Sequence, residues 1–400
     1  MATASNFTSA AFAFKKLYSD SQVGDVSMRF HPLFKMVRKV GGWVGTTFDY
    51  PIRYGNPQGI SGTWADAKAG ASSSKGKQLS ASRKPKYGYI TLDGEAINAA
   101  ENKGAFINLL TMETDGVLEE MGDACAFDLY RAGNGNRGRR ASISTNVVTL
   151  SDADTARNFK EGMTVIASPN ADGSSPRAGS TTVAAVDEDN GKVQLTSAAA
   201  ITSFADNDYL FRKGDPATCC EGLEKHLPLT APALGSDSFR GIDRGSDPRR
   251  LAGVRVNTPL APHEENIGLV GVKIGQVGQE GRVATINPLH FWKVVRRRDA
   301  MVTYDGGGVE ATVGFEGINV ATPAGTVRLI SDPDCPPEFG YVLNLSTMYI
   351  KHLRSLPHII MDDGLRSLRL MDDDGIEARV RCWWNLFFDK PGSNGVFAAQ

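Results

Sequence analysis

The chain has 400 residues, a formal net charge of −1 at pH 7, 41% hydrophobic residues and 22% charged residues. These values are typical of a globular protein of about two or three domains, and they exclude a polycation that coats nucleic acid over its whole surface. Because no apolar run approaches the about 20 residues that cross a bilayer, we expect no contact with a membrane. The five cysteines show no C-x-x-C spacing, which predicts buried thiols rather than zinc ligands or a disulfide framework.

The first part of the chain predicts an arm followed by a long loop. Residues 1–37 mix small, apolar and basic residues without a period, which is typical of an extended arm. Strand-like alternation then runs from Val44 to Tyr54 and returns in "KYGYITLDG". Between these strands lies the polar stretch 61–82, which has too few large apolar residues to cover a core. We therefore predict two paired strands joined by a long polar tip.

Residues 104–131 predict a long helix. An apolar stripe recurs along it at helical spacing: Phe106, Leu110, Val117, Met121 and Ala124. The glycines of "GNGNRG" come directly after this helix and match the G-x-G-x-x-G pattern of dinucleotide sites. That chemistry needs a strand before the glycines and a helix after them, so the inverted order here argues against a cofactor.

Residues 141–215 differ from the rest of the chain. Short strand patterns alternate with turn-rich stretches, and the segment contains ten acidic and six basic residues. This spacing predicts a small acidic β-barrel inserted between two parts of another domain.

A second helix is predicted from "NPLHFWKVVRRRDA", with Asn287 as its N-cap. Its buried stripe is predicted to hold Phe291, Trp292 and Val295. The three arginines that end it are candidates for ion pairing or contact with another subunit: Arg296, Arg297 and Arg298.

Near the end of the chain, "GIEARVRCWWNLFF" alternates over 13 residues, which predicts one strand of about 43 Å. Apolar residues from Ile376 to Phe388 occupy one face of this strand. The other face carries the charged residues Glu377, Arg379 and Arg381, which are further candidates for contact or charge pairing.

No pattern of residues predicts catalysis. The six histidines lack metal-ligand spacing, and the zinc-protease motif, the nucleophile elbow and the phosphate-binding loop are missing from the sequence. The aspartate clusters at 361–364 and 371–375 are more typical of solvated turns than of metal sites. We therefore expect a protein that is not an enzyme and that binds no cofactor or metal.

The order of these parts resembles the major capsid proteins of tailed bacteriophages of the Hong Kong 97 type. The resemblance rests on the sequence of arm, strand–tip–strand, long helix, inserted β module, "INPLHFWKVV", the pair "GFEGINVATPAG" and "FGYVLNLSTMYI", and a long return strand. It implies an α+β Hong Kong 97-like fold with peripheral and axial domains, an extended loop and an N-terminal arm. The implied segments are the arm 1–37, the extended loop 38–92, a peripheral part with the spine helix 93–140, the inserted module 141–215, the axial domain 216–370 and a return strand in 371–400.

The resemblance also implies a function. A subunit of this kind assembles into hexamers and pentamers of an icosahedral shell around double-stranded DNA, within the virion and after assembly in the host cytoplasm. Its partners are other copies of itself and, in such a shell, scaffold, portal and decoration proteins. Residues of the extended loop would touch a neighbouring subunit, namely Trp64, Lys68, Lys75 and Lys77, and Lys15 and Lys16 of the arm are candidates to face DNA.

Other classes of protein remain open at this point. A nanocompartment shell protein would share the fold and differ by its cargo enzyme. A tail or baseplate component would form tubes or spikes. An enzyme built on the acidic module would need a pocket of convergent polar groups, which the sequence does not reveal.

Overall fold

The computed structural model describes residues 31–93, 103–235, 237–258, 262–299, 318–360, 368–369 and 374–399. They divide into two compact units, and residues 131–225 form the smaller one. The described helices are, in chain order, α1 (Pro32–Met36), α2 (Trp64–Ala69), α3 (Lys103–Tyr130), α4 (Leu223–His226), α5 (Pro248–Leu251), α6 (His263–Gly275) and α7 (Pro288–Asp299).

The described strands are numbered along the chain. Those before the smaller unit are β1 (Arg38–Val40), β2 (Thr47–Gly55), β3 (Lys75–Ser82) and β4 (Lys84–Asp93). Those of the smaller unit are β5 (Asn136–Ser144), β6 (Val147–Leu150), β7 (Thr164–Ser168), β8 (Thr181–Asp187), β9 (Lys192–Leu195) and β10 (Tyr209–Arg212). Those after it are β11 (Ser238–Phe239), β12 (Ile242–Asp243), β13 (Val254–Val256), β14 (Val283–Ile286), β15 (Ile318–Thr322), β16 (Gly325–Ser331), β17 (Phe339–Leu343), β18 (Met348–His352), β19 (His358–Ile359), β20 (Leu368–Arg369), β21 (Gly375–Phe388) and β22 (Gly395–Ala398).

The first sheet of the larger unit is built around β21. This strand has 14 residues and pairs with β4, β18, β19 and β20. Its predicted alternation is confirmed, because the apolar face from Ile376 to Phe388 is buried. Phe387 and Asn385, on the opposite face, are buried as well, because strands β2 and β3 pack over that end of β21.

Helix α3 crosses the first sheet at β4. Gly88 of β4 allows this close approach, because a Cβ atom there would lie 2.8 Å from Cγ1 of Val117. Met121 and Ala124 are buried as predicted. The expectation of a single stripe fails further on, because every residue from Ala124 to Tyr130 is buried. A helix end that is covered on all sides needs no amphipathic pattern.

The second sheet has the strand order β13-β22-β17-β14-β16-β15. Helix α6 covers it with Ile267, Val270 and Ile274, which recur at helical spacing. The last strand, β22, belongs to this second sheet and not to the sheet of β21. The sequence had predicted a single return strand within 371–400, whereas the structure has two strands there, in different sheets. The chain therefore changes sheets between β21 and β22, and all four residues of β22 are buried there.

Helix α7 begins as predicted, because Oδ1 of Asn287 accepts a hydrogen bond from the N–H of Leu289 at 3.0 Å. The predicted buried stripe is wrong at Trp292, whose side chain is 60% exposed. Val294 is buried in its place, with Phe291 packed partly against the same core. Trp292 lies about 200° around the helix from Val294, so the two cannot share a face.

The smaller unit contains a closed barrel of six strands, in the order β10-β5-β6-β9-β8-β7. Its core is its own and consists of buried aliphatic and aromatic side chains such as Val148, Phe159 and Leu210. The first strand begins at Asn136 and the compact unit spans residues 131–225, so both extend beyond the expected 141–215. The early start matters because β5 pairs with both β6 and β10 and thereby closes the barrel.

Candidate inter-subunit surfaces

The extended hairpin consists of β2, β3 and the tip that joins them, residues 56–74. Its strands pair from Thr47–Ser82 to Gly55–Lys75. The sequence predicted instead that "KYGYITLDG" would close the hairpin, and this is wrong, because that segment forms β4 and pairs with β21. Residues 75–82 therefore belong to a strand and not to the tip.

The root of the extended hairpin is packed on its own subunit. Tyr50, Ile52, Leu79 and Ala81 are each less than 5% exposed and share a core with Phe387 of β21. The aromatic ring of Tyr50 meets that of Phe387 edge-on at 5.0 Å. The expectation that residues 61–82 bury almost nothing is therefore corrected for the end of that segment.

Arg240 fastens this root. Its guanidinium donates hydrogen bonds to the Tyr50 hydroxyl at 2.9 Å, to Oδ1 of Asn385 at 3.2 Å and to the Leu386 carbonyl at 2.9 Å. Its own carbonyl accepts from the N–H of Ser80 at 3.1 Å. The residue thus joins both strands of the hairpin to β21. It also has a left-handed backbone, with φ of 49°, in the turn between β11 and β12.

The tip carries exposed apolar side chains. Trp64 is 86% exposed and Ile60 is 96% exposed. Helix α2 begins at Trp64 because the Thr63 hydroxyl caps it and accepts a hydrogen bond from the N–H of Asp66 at 3.3 Å. The sequence did not predict this helix, since its six residues show no apolar period. Of the three candidate lysines, Lys68 lies on α2, whereas the other two lie on β3; all are exposed: Lys68, Lys75 and Lys77.

The outer face of the first sheet, away from α3, combines aromatic and charged side chains from β4 and β21. Arg379 stands opposite Tyr89, and Arg381 stands opposite Tyr87. The Arg381 guanidinium lies 4.5 Å from the ring centroid of Trp383, whose indole N–H donates to the Tyr87 hydroxyl at 3.2 Å. Tyr87 and Tyr89 are 67% and 54% exposed.

Glu377 on this face is buried and engaged within its own subunit. Its carboxylate accepts hydrogen bonds from the Tyr89 hydroxyl and from Arg379. The hydrogen bond to this carboxylate raises the pKa of the Tyr89 phenol. Charge pairing therefore accounts for Glu377, whereas Arg379 keeps an exposed side chain.

The basic end of α7 belongs to neither the extended hairpin nor the outer face of the first sheet. Arg296 is exposed, and Nη1 of Arg297 lies 3.8 Å from the Glu264 carboxylate of α6. The exposed Leu289 and Trp292 belong to the same helix. The side chain of Arg298, and all of Lys15 and Lys16, lie outside the described residues.

His31 forms an ionic cluster that sequence reasoning missed. Its two ring nitrogens lie 2.9 Å from Asp123 of α3 and 2.6 Å from Asp334. Burial lowers the pKa of His31, but the hydrogen bonds and charges of the two carboxylates outweigh it and raise the pKa to about 10. Beside them, burial and the charge of Asp334 raise the pKa of Asp332 to about 6, and Asp332 accepts from the N–H of Leu33 at 3.0 Å.

Within the described ranges, no group of three or more His, Cys, Asp or Glu side chains could hold a metal ion. All five cysteines are buried free thiols, as predicted. None of the described helices is both long enough and apolar enough to cross a membrane.

No protein-family model and no curated protein matches the chain. Among solved structures, it resembles a chain of the cyanophage A-1(L) capsid asymmetric unit, with 14% identity, a TM-score of 0.51 and coverage of 92% of this chain and 93% of that one. The capsid of a native GTA particle (10% identity, TM-score 0.48, 96% and 91% covered) and the holo-SrpI encapsulin complex of Synechococcus elongatus PCC 7942 (10%, 0.42, 92% and 86%) are also similar to it. The first likeness confirms the predicted α+β fold: the chain has the fold of a phage capsid protein.

Proposed function

We propose that this protein is the major capsid protein of a tailed phage. In this proposal its copies assemble into hexamers and pentamers of an icosahedral shell of the Hong Kong 97 type, and the shell encloses double-stranded DNA. The observation that carries the proposal is the fold shared with the cyanophage capsid chain over nearly the whole length of both chains.

The extended hairpin supports the proposal independently of that likeness. Its tip presents Trp64 and Ile60 almost fully exposed, although the root of the same hairpin is fixed in a core. Exposed tryptophan on a fixed projection is typical of an anchor that fills a pocket of a partner. The partner in our proposal is the neighbouring subunit.

Charged residues complete the contacts that we propose. Lys68, Lys75 and Lys77 extend along the hairpin and would meet acidic side chains of the neighbour. Arg379 and Arg381 lie beside exposed tyrosines, a composition that is enriched at the centres of protein interfaces. Arg296, Arg297 and Arg298 would serve ion pairs or contacts at a second interface, and Lys15 and Lys16 would face DNA.

The proposed role is structural and not enzymatic, and its place is the virion, after assembly in the host cytoplasm. Scaffold, portal and decoration proteins are the expected partners besides further copies of the chain. The compact unit 131–225 carries twelve acidic and eleven basic residues, so the acidic excess expected for 141–215 is nearly cancelled within the observed bounds.

Expression of the chain, alone and with the scaffold gene of its source, tests the proposal by negative-stain electron microscopy. We expect closed shells of uniform diameter. A protein that stays monomeric under both conditions, or that forms tubes or spikes, would contradict the proposed function.

A further inference from the structure

A basic cleft lies between α5, β13 and the end of α6. It has a volume of about 360 Å³, and its polar lining comprises Asp247, Arg249, Arg255, Lys273 and Gln276. None of these residues belongs to the surfaces described above. The cleft lies within the larger unit.

The three cations of the basic cleft are held in place by main-chain carbonyls. Nη2 of Arg249 donates to the carbonyl of Lys273 at 2.6 Å, and Nζ of Lys273 donates to the carbonyl of Arg255 at 2.7 Å. Nη2 of Arg255 donates to the carbonyls of Pro248, Ala252 and Gly253 at 3.1 to 3.3 Å. The three side chains are therefore linked and positioned without the help of a ligand.

Their positive charge is not neutralised locally. In the part of the chain that the structure describes, the ion pairs include none formed by Arg249, Arg255 or Lys273. Asp247 lines the cleft, but its carboxylate caps α5 and lies 3.6 Å from Nη1 of Arg250. A carbonyl oxygen satisfies a hydrogen-bond donor but carries no net charge, so the cleft keeps an excess of positive charge.

Arg255 is also incompletely satisfied for hydrogen bonds. Its Nε–H is buried and finds no acceptor among the described residues. Burial and the charge of nearby Arg244 lower the pKa of the Arg255 guanidinium, against an opposing contribution from Asp237. Positive charge is thus unfavourable at this position, and an anion in the cleft would relieve it.

We propose that the basic cleft is a binding site for a phosphate group. A phosphate carries about 1.5 to 2 negative charges and several acceptor oxygens, whereas a carboxylate brings only one charge to three cations. Nη2 of each arginine already donates to oxygen atoms of the chain, so each would reach a phosphate through Nη1. Lysine adds a point charge with two further N–H groups beyond the one that bonds Arg255. Free inorganic phosphate and the backbone of DNA offer the same chemistry, and the two sources can be distinguished.

The experiment measures phosphate binding to the full chain by isothermal titration calorimetry, at constant ionic strength balanced with chloride. Lys273→Gln and Arg249→Gln remove one cation each from exposed positions, and Lys192→Gln on β9 is the matched control. We expect saturable binding that either cleft variant weakens by about tenfold or more, because each removes a charge-assisted hydrogen bond. The control should bind as the wild type does.

A second arm uses a short DNA duplex in place of phosphate. Duplex binding that Lys273→Gln weakens and that free phosphate competes away would identify the DNA backbone as a ligand of the cleft, whereas binding of phosphate alone would identify the free anion. The proposal is overturned if neither ligand binds, or if Lys192→Gln weakens binding as much as the cleft variants do. Because the assay needs no shells, its failure would leave the proposed capsid function untouched, and the reverse also holds.

Discussion

Substitutions at the root and at the tip of the extended hairpin should have different effects on the stability of the folded chain and on the shell assembly that we propose. Leu79, at its root, is 3% exposed, and Leu→Ala at such a position costs about 2 to 5 kcal/mol of folding free energy. Trp64, at its tip, is 86% exposed, and exposed substitutions of this kind change stability by about 0.5 kcal/mol or less. We therefore expect Leu79→Ala to lower the Tm of the unassembled subunit and Trp64→Ala to leave it nearly unchanged.

Assembly, by contrast, should be most sensitive to Trp64→Ala. A tryptophan that becomes buried removes about 150 to 250 Å² from water, and truncation of such an anchor costs about 2 to 4 kcal/mol per contact. The affinity of each contact would fall by about 30-fold or more, repeated around every ring. Trp64→Ala should therefore abolish stable shells while the subunit stays folded.

The assay combines a thermal melt of the unassembled subunit with shell counts by negative-stain electron microscopy. Leu234→Ala, at a residue that is 82% exposed in the loop before β11, is the control for loss of an exposed apolar side chain. The reasoning would be refuted if Trp64→Ala assembled as well as the control, or if it lowered the Tm as much as Leu79→Ala does. Deletion of residues 61–82 is unsuitable for this test, because it removes the buried Leu79 and Ala81.

Three further predictions concern other parts of the molecule. Excised residues 131–225 should give β-type circular dichroism and a cooperative melt, whereas 141–215 should not, because it lacks the first half of β5; equal stability of the two fragments would contradict the barrel boundaries. The pKa of His31 is raised from 6.5 to about 10, so its contribution to stability is complete below pH 6.5 and is lost as pH rises through about 10. The Tm difference between the wild type and His31→Gln should narrow over that range, and a constant difference would argue against the ionic cluster. Arg240→Ala should raise amide exchange in β2 and β3, since it removes hydrogen bonds to Tyr50, Asn385 and Leu386, and unchanged protection would show that the root does not depend on this residue.

Local patterns in the sequence predicted those elements whose signal lies within one contiguous stretch of residues. β21 alternates because its apolar face is buried along its length, and α7 begins at Pro288 because the side chain of the preceding Asn287 caps it. A local pattern also predicted that helix α3 is followed by a glycine-rich turn and then by a strand. The barrel was predicted from its short strands and turns, since its core lies within one contiguous segment.

Features that depend on distant residues could not be predicted in this way. β3, with the sequence KGKQLSAS, has little strand character, and it is a strand because β2 supplies its partner and because Leu79 and Ala81 find a core. Arg240 is 190 residues from Tyr50, and His31 is 303 residues from Asp334. No spacing in the sequence signals such contacts. The structure explains only one of the charged candidates, because Glu377 is paired within its own chain. The roles of the candidate lysines stay predictions.

Electron cryo-microscopy of the assembled particle, with the density of the extended hairpin resolved, tests the central claim most directly. The proposed function predicts closed rings of five and six copies in one shell, with the Trp64 indole of each copy packed within about 4.5 Å of a neighbouring copy. Particles without such rings, or a shell in which Trp64 stays exposed to solvent, would contradict the account.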